Sequence, residues 1–260
     1  MFIEFVHRLI SADDSETPSV LHLFGGPFVT CGRQRLEIPE GSKRLLAFVA
    51  LHHRRIERRY AAGALWPNGD DVRAAGNLRS ALWRLNLAGI RVLSADNHGL
   101  AICNDVSVDV DIITAWANRL IGGSASREDL IIMPWGIDAF DLLPGWYDDW
   151  VLIEREHIRQ RVLHALEALS HKLIQLQRGA EAVEAAMIAV SAEPLRESAQ
   201  RVLIEAHVAE GNWVEGRRSF EVYRDLLARE LGTTPGPELA ALVRCTRSPS
   251  QSRHSGVMTG

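Results

Sequence analysis

The sequence predicts a mainly α-helical protein with a small β component, divided into two domains. Apolar residues recur at helical spacings of three and four from Ser42 to Gly89 and again from Trp150 to Val243, whereas strand-like alternation is confined to short stretches of the first half. The length of 260 residues suits two domains of about 100–150 residues each. A composition of 47% hydrophobic and 24% charged residues excludes a fibrous or wholly disordered chain.

Turn and cap signals define the first strands and helices. The stretch VLHLFGGPFVTCGRQRLEIPEG alternates apolar and polar residues around a turn at Cys31-Gly32-Arg33, which predicts a short antiparallel unit. Ser42 is predicted to cap a first helix. The apolar face of that helix comprises Leu45, Leu46, Phe48, Val49 and His52. A second helix is predicted from about Glu57 to Trp66, because Pro67 disfavours the helical conformation in the residue before it.

The third helix, DVRAAGNLRSALWRLNLAG, carries the most informative pattern. Its predicted buried face repeats at spacings of three and four and comprises Val72, Ala75, Leu78, Leu82 and Leu85. On the opposite face, a polar set repeats at four, three and four and comprises Arg73, Asn77, Ser80 and Arg84. Asp70 or Asp71 is placed to cap this helix, and Gly89 suits its C-terminal end. Strand-like runs on both sides of a turn at residues 95–99 then predict a hairpin.

The polar face of the third helix has the chemistry that recognises DNA. The major groove admits one helix, and there Arg pairs with guanine, Asn with adenine and Ser with several partners. A helix that follows two shorter helices and precedes a hairpin has the order of a winged helix-turn-helix domain. We therefore predict that this helix binds DNA through Arg73, Asn77, Ser80 and Arg84, together with Arg79. The alternative is an ordinary exposed polar face.

The distribution of charge favours a polyanionic partner. Residues 42–91 contain ten basic and three acidic residues, a balance of +7, which leaves −11 for the rest of a chain of net charge −4. Phosphate contacts are assigned to the arginines where the first two helices meet, Arg54, Arg55, Arg58 and Arg59. At least one of these four is expected to pair with Glu57 or Asp70. Asn97 and His98, at the hairpin tip, are assigned to the adjacent minor groove. Solvated surface is the alternative for both groups.

The second half of the chain predicts stacked helix pairs. Residues from Gly179 (GAEAVEAAMIAVSAEPL) resemble those from Gly211 (GNWVEGRRSFEVYRDLL), at a period similar to that of tetratricopeptide repeats. We place a winged-helix domain at residues 20–107 and an all-α, tetratricopeptide-like domain at residues 108–246. Residues 1–19 are predicted to be a tail or a loose first strand, and the Ser-rich residues 247–260 a disordered tail.

Other function classes lack support in the sequence. It has no P-loop, GxGxxG, HExxH or Gly-flanked serine motif, so we expect no enzyme, no catalytic residue and no cofactor. Three scattered cysteines exclude a disulfide framework and suit a reducing cytoplasm. His157, His164 and His171 share one side of a helix, where a partly exposed flank is favoured over a metal site. No apolar run approaches the roughly 20 residues of a membrane span. The aromatic residues around Pro144-Gly145 are expected to form core.

Several stretches resemble the Streptomyces antibiotic regulatory protein family, whose members join an OmpR-like winged helix to a bacterial transcriptional activation domain. In the first half they are LHLFGGPFV, KRLLAFVALH, ALWPNGD and NLRSALWRLN. In the second half they are VDVD, LLPGWYDDWV and the long block from RGAEAVEAAMIAVSAEPL to GTTPGPEL. The chain is most similar to the small, stand-alone members. Gly76 and Trp83 depart from the family, which usually has polar or basic residues at these positions. We expect Trp83 to pack on a neighbouring helix or the wing, with contact to a DNA sugar as the alternative.

The resemblance implies a sequence-specific, DNA-binding transcriptional activator of the bacterial cytoplasm, associated with the nucleoid. Its implied partners are double-stranded promoter DNA that carries repeats, RNA polymerase holoenzyme, and a second copy of the chain in a homodimer on DNA. Genes of a secondary-metabolite or similar pathway are the implied targets. The alternative, from another class, is a helical-repeat interaction scaffold whose winged helix is degenerate.

Overall fold

The structure, a computed structural model, describes residues 2–10, 19–32, 34–132 and 137–245. Contacts divide the chain into two compact units. The first unit comprises Met1–Asp129 and Asp138–Val162, and the second comprises Leu130–Ile137 and Leu163–Gly260. The predicted fold class is confirmed, because the strands of the described residues all lie in the first half and the second half is helical. Among the described helices, none is long and apolar enough to cross a membrane.

The described residues form ten α-helices and seven strands. The helices are α1 (Phe2–Ile10), α2 (Glu40–Leu51), α3 (Arg58–Leu65), α4 (Asp71–Leu87), α5 (Asp109–Ile121), α6 (Asp149–Gln175), α7 (Gly179–Ala192), α8 (Glu197–Ala209), α9 (Trp213–Leu231) and α10 (Pro237–Cys245). The strands are β1 (Ser19–His22), β2 (Phe28–Cys31), β3 (Gln34–Glu37), β4 (Ile56–Glu57), β5 (Leu93–Ala95), β6 (Gly99–Ile102) and β7 (Val106–Val108). Two short 3-10 helices, Glu128–Leu130 and Ile137–Phe140, precede α6.

Helix α1 corrects the prediction of a tail over residues 2–10. Phe5 and Val6 are buried, and the Phe5 ring packs edge-on against Trp116 of α5, with ring centroids 5.6 Å apart. The sequence pattern did not predict this helix because α5, which covers its apolar face, lies far along the chain. The rest of the predicted tail, residues 11–18, lies outside the described residues.

The first sheet contains the predicted antiparallel unit and one additional strand. Its order is β3-β2-β1-β7. Leu21 of β1 lies opposite Val29 of β2, which in turn lies opposite Leu36 of β3. Strand β7 pairs in parallel with β1, with Val108 opposite Leu21. Because β7 follows α2–α4 and the hairpin in the sequence, this pairing places the end of that segment beside the first strand.

A buried carboxylate connects this sheet to α5. The Asp109 side chain is fully buried, and its oxygens accept hydrogen bonds from the backbone N–H groups of Leu23 at 3.0 Å and Phe24 at 3.1 Å. Nδ1 of His22 lies 3.6 Å from the same carboxylate, and His22 Nε2 lies 2.9 Å from Thr30 Oγ1. Burial raises the pKa of the Asp109 carboxyl, against the opposing effects of His22 and the two amides. The carboxylate therefore satisfies two buried backbone donors just after β1.

Helices α2, α3 and α4 pack around one apolar core. That core comprises Leu45, Phe48, Val49, Ile56, Ala61, Ala62, Leu65, Ala74, Leu78, Ala81 and Leu100. The prediction that Ser42 caps α2 is wrong, because the helix begins at Glu40, directly after Pro39. Ser42 is buried, and its Oγ donates a hydrogen bond of 2.8 Å to the carbonyl of Ala81 in α4. The Ser42 hydroxyl therefore connects α2 to α4 and does not cap α2.

The second sheet forms the wing. Its order is β4-β6-β5, and β5 with β6 is the predicted hairpin. Strand β4 adds a third member, with Ile56 opposite Leu100. Because Glu57 belongs to this strand, α3 begins at Arg58, whose N–H donates to the carbonyl of His98 at 3.1 Å. The start of α3 is therefore hydrogen-bonded to the hairpin tip.

The compact units do not divide near residue 107, where the sequence predicted a domain boundary. Helix α5 belongs to the first unit, and Trp116 is buried there with its Nε1 donating to the carbonyl of Asp129 at 3.1 Å. Arg119 pairs with the Asp129 carboxylate at 2.7 Å. Residues 138–162 belong to the same unit, where the Arg155 guanidinium donates to the carbonyls of Leu142 at 2.8 Å and Leu143 at 2.7 Å. Hydrophobic periodicity in the sequence does not predict these contacts, because they connect loops to helices.

The second unit is a succession of packed helices that follows the predicted pairs. Leu166, Leu173, Leu203 and Tyr223 are buried, and Val183 is partly buried against the cluster of Ala186, Val202 and Leu203. The buried Glu167 carboxylate accepts hydrogen bonds of 2.7 Å from Arg196 and from Ser198. Polar as well as apolar contacts therefore hold α6 against the start of α8. The predicted disordered tail, residues 247–260, lies outside the described residues.

The first prediction concerns the buried carboxylate. Replacing Asp109 with Ala leaves the N–H groups of Leu23 and Phe24 buried without an acceptor, so the free energy of unfolding should fall by about 2–3 kcal/mol. The matched control is Asp111→Ala, two positions along the same helix, which removes an exposed ion pair to His53 and should cost less than about 1 kcal/mol. Urea unfolding of the full chain measures both. Equal losses would show that the buried hydrogen bonds of Asp109 contribute no more to stability than the exposed ion pair of Asp111.

A second prediction concerns one glycine inside α4 and one that follows the helix. Gly76 lies inside the helix, and a Cβ there would approach Nη2 of Arg79 only to 3.8 Å, so Gly76→Ala should stabilise the chain by about 0.5–1 kcal/mol. Gly89 follows the helix with a φ of +71°, which side chains disfavour, so Gly89→Ala should destabilise it by about 1–2 kcal/mol. Thermal unfolding measures both changes in stability, which should have opposite signs. A loss of stability in Gly76→Ala would contradict the open space found around that position.

Candidate nucleic-acid interface

Helix α4 is held in place by its N-terminal cap and its small buried side chains. As predicted, Asp70 caps it, with Oδ1 accepting from the N–H of Arg73 at 2.7 Å. The buried face comprises Ala74, Leu78, Ala81 and Leu85. The predicted face is therefore wrong at Val72, which is exposed, and only partly correct at Ala75 and Leu82, which are partly buried. The helix is rotated relative to the prediction because α2 and α3 pack against its alanines.

This rotation moves the predicted polar set to one flank of α4. Arg73 and Asn77 line a groove of about 410 Å³ beside the turn between α3 and α4. The other residues of that groove are Arg44, Leu65, Trp66, Pro67, Asn68, Gly69 and Ala74. The sequence did not assign Arg44 to the site. Its side chain donates to the Leu65 carbonyl at 3.1 Å and pairs with Asp148, so its guanidinium is already fixed at the edge of the groove.

Arg84 and Ser80 lie on the exposed surface of α4 but in different surroundings. A Cβ built at Gly41 would lie 2.7 Å from Nη1 of Arg84, so this guanidinium lies over the first turn of α2. Ser80 is exposed and makes no hydrogen bond through its side chain to another described residue. The prediction that Trp83 packs on a neighbouring element is wrong, because 62% of its surface is exposed.

A second groove brings together residues that are distant in sequence. It has a volume of about 600 Å³ and lies between α3, α4 and the hairpin tip. Five of its lining residues are predicted DNA-binding residues, namely Arg58, Arg59, Arg79, Asn97 and His98. The others are Glu57, Ala62, Gly63, Asp71, Ala74, Ala75 and Leu78. Phosphate-binding and base-reading candidates therefore share one concave surface.

The hairpin tip is organised by Asp96. Its Oδ1 accepts from the N–H groups of His98 at 2.8 Å and Gly99 at 2.9 Å, and Oδ2 pairs with Arg55. These partners, Arg55 first, hold the pKa of the Asp96 carboxyl well below its usual range. Arg58 donates to the Asp96 carbonyl at 3.1 Å. The tip is therefore tied to the start of α3 by two arginines.

The arginine cluster has other partners than predicted. Neither Glu57 nor Asp70 pairs with it among the described ion pairs. Arg55 pairs with Asp96 and Arg59 with Asp71, the latter at 2.7 Å. Arg54 is exposed and has no ion pair with another described residue.

The arginines of α4 are unpaired, in contrast to those of the second unit. Within the described chain, no ion pair is formed by Arg73, Arg79 or Arg84. Arginines of the second unit are largely neutralised by nearby carboxylates, as in Arg178 with Glu181 and Arg217 with Glu221. Three exposed, unpaired guanidinium groups on one helix are available for an external anion.

The other sequence candidates are the histidines of α6 and the aromatic residues around Pro144-Gly145. His157, His164 and His171 are all exposed, and no three metal-ligating side chains cluster in the part of the chain that the structure describes. Trp146 and Trp150 pack edge-on with centroids 6.5 Å apart, while Tyr147 is exposed. Trp135 lies outside the described residues.

Comparison with known proteins gives three matches. Residues 135–245 match the family described as the bacterial transcriptional activator domain. The regulatory protein AfsR of Streptomyces griseus is 28% identical over 189 residues, which cover 69% of this chain and 19% of that protein, so the chain spans about a fifth of its curated relative. The solved structure of Mycobacterium tuberculosis EmbR in complex with a low-affinity phosphopeptide has a TM-score of 0.60 at 19% identity, covering 88% of this chain and 65% of that one. The last match shows a shared fold.

The third prediction concerns the hairpin tip. Replacing Asp96 with Ala removes the acceptor of the His98 and Gly99 amides, so both protons should exchange with solvent measurably faster. Hydrogen exchange followed by nuclear magnetic resonance measures the rates. The control is Asp105→Ala, in the turn before β7, which should leave these two amides unchanged. Unaltered exchange in Asp96→Ala would mean that the backbone alone holds the tip.

Proposed function

We propose that the chain is a transcriptional activator of the Streptomyces antibiotic regulatory protein type, which binds double-stranded promoter DNA and recruits RNA polymerase. Its match to the bacterial transcriptional activator domain and its similarity to AfsR support this proposal. Helix α4 enters the major groove, and the hairpin β5–β6 lies over the adjacent minor groove. The observation that carries this proposal is the set of unpaired guanidinium groups on α4, Arg73, Arg79 and Arg84.

The two grooves beside α4 divide the predicted DNA contacts. Arg73 and Asn77 lie beside the turn that precedes α4, where they face base edges on one side of the helix. Arg79 lies on the other side with Asn97 and His98 of the hairpin. Arg84 lies over Gly41 and is better placed for a phosphate than for a base.

The phosphate contacts are made by the arginine cluster at the start of α3, Arg54, Arg55, Arg58 and Arg59. Arg54 is exposed without an ion pair, and Arg58 hydrogen-bonds a neutral carbonyl, so both retain an unneutralised charge. Arg55 and Arg59 already pair with Asp96 and Asp71 and would have to exchange a carboxylate for a phosphate. Arg54 and Arg58 therefore contribute more to affinity than their two neighbours.

The helical unit supplies contacts to RNA polymerase holoenzyme and to a second copy of the chain on repeated DNA sites. Val214 and Val222, which are exposed and lie on the side of α9 opposite its buried residues, offer an apolar surface for such contacts. The setting of this function is the bacterial cytoplasm and nucleoid, with a secondary-metabolite or similar pathway as its target.

In vitro selection tests the DNA-binding function directly. The full chain is used to select duplexes from a random double-stranded library, and we expect enrichment of a repeated element. Recovery of no enriched sequence would favour the alternative, an interaction scaffold whose winged helix does not bind DNA.

The fourth prediction concerns phosphate contacts. Each neutralised phosphate contributes about −0.9 to the slope of log affinity against log salt. Arg54→Ala combined with Arg58→Ala should therefore flatten the slope by up to about 1.8 and weaken binding to selected and random duplexes alike. The matched control is Arg217→Ala on α9, whose guanidinium pairs with Glu221 at 3.1 Å. Fluorescence anisotropy at several salt concentrations measures the slopes, and a slope equal to that of the unmodified chain would leave this cluster as solvated surface.

The fifth prediction separates activation from DNA binding. Val214→Ser with Val222→Ser removes exposed apolar surface from the outward face of α9, so transcription by purified holoenzyme from a selected site should fall several-fold. Affinity for a duplex that carries a single copy of the repeat should stay the same, because α4 and the hairpin are untouched. Arg224→Ala, also exposed on α9, serves as control. Full activation by the double variant would contradict a role for this face in polymerase contact.

A further inference from the structure

The outermost face of α4 is apolar, which the predicted polar face did not anticipate. Val72, Trp83 and Leu87 are 76%, 62% and 71% exposed. At about 100° of rotation per residue, these three positions lie within an arc of about 60° along the helix. Gly76 falls inside the same arc, so no side chain separates Val72 from the next turns. The face that projects furthest from the core is therefore a stripe of large apolar side chains with a gap at Gly76.

Cationic groups border this apolar stripe. Arg73 and Arg84 lie on one side of it, and Arg79 lies close to Gly76 on the other side, next to the groove that also contains Arg58 and His98. None of the three arginines of α4 is neutralised by a described carboxylate. An apolar protein partner would leave these charges desolvated or unpaired, which is costly. A polyanion with an apolar strip along its middle satisfies both features.

Duplex DNA that contains thymine has this arrangement in its major groove. Phosphates line both walls, and the C5-methyl group of thymine is the apolar group that bases expose on the floor. We propose that Val72 and Trp83 contact thymine methyl groups, so that the outer face of α4 selects sites with thymine at the positions beneath it. Leu87, in the last turn, extends the same stripe. The inference rests on the proposed function, because it requires that α4 enter the major groove.

The assignment explains three features of α4 together. The exposed Trp83 gains a binding partner that covers its apolar surface on DNA. Gly76 lets the helix backbone approach the base edges, since it adds no side chain to the outward face. The flanking arginines reach phosphates or guanines on either side of the contacted thymines. Thymine selection is therefore added to, and distinct from, hydrogen-bonded recognition by Arg73 and Asn77.

Deoxyuridine substitution tests the inference, because it removes the methyl group and keeps every hydrogen-bonding group of thymine. The full chain is titrated with a duplex obtained by in vitro selection and with the same duplex in which deoxyuridine replaces thymine within the bound site. We expect about a fourfold loss of affinity for each contacted methyl group. Deoxyuridine placed only outside the bound site should have no effect.

Variants locate the contact on the protein. Trp83→Ser and Val72→Ser should bind the thymine duplex more weakly than the unmodified chain does, and each should lose part of the discrimination against deoxyuridine. Ile121→Ser, an exposed apolar residue of α5 in the same unit, should retain full affinity and full discrimination. Both altered residues of α4 are exposed, so the variants should keep the circular dichroism spectrum of the unmodified chain.

The outcomes separate this inference from the proposed function. Equal affinity for the thymine and deoxyuridine duplexes would overturn the inference and leave DNA binding intact. Failure to select any duplex would overturn both. A free chain that sediments as a dimer, and that Trp83→Ser converts to a monomer, would show that a second copy covers this face and would overturn the inference too.

Discussion

The close packing of α4 against α2 and α3 is the constraint on which the candidate interface depends. The buried positions of α4 include Ala74 and Ala81, whose single Cβ atoms allow neighbouring helices to approach. The hydrogen bond from Ser42 to the Ala81 carbonyl lies inside this contact and fixes one turn of α4 against α2. Each residue of a helix lies at a fixed angle around the helix axis. Because the alanines face the core, the direction of every other side chain of α4 is determined. Large apolar residues at Val72 and Trp83 are thereby directed to solvent, where a partner can use them.

Much of the fold followed from local signals, and the parts that did not were those with distant partners. Spacing, caps and turns predicted α3, α4, the first three strands and the helix pairs of the second unit. Helix α1 packs on Trp116 of α5, and β7 pairs with β1, so the partner of each lies far along the chain. Asp109 illustrates the same limit, because a carboxylate at a helix start looks like a surface charge until the amides of Leu23 and Phe24 are placed beside it.

The sequence predicted which types of residue form the candidate site better than it predicted how they are arranged. The basic residues around α4 were evident from charge counting, yet the counts did not show that Arg55 pairs with Asp96 or Arg59 with Asp71. The apolar face of α4 was misassigned because periodicity gives large aliphatic residues more weight than alanine, and Val72 was placed in the core on that basis. Exposed Trp83 could have signalled the error, since a tryptophan opposite a buried face needs a partner outside the domain.

Because residues 138–162 belong to the first unit, the points at which this chain can be recombined with related chains are limited. A hybrid joined near residue 107 or 130 would separate Trp150 from Phe48, whose rings meet edge-on at 5.3 Å, and Arg155 from the unit to which it belongs. A single crossover that keeps the first unit intact must therefore fall after Val162, inside helix α6.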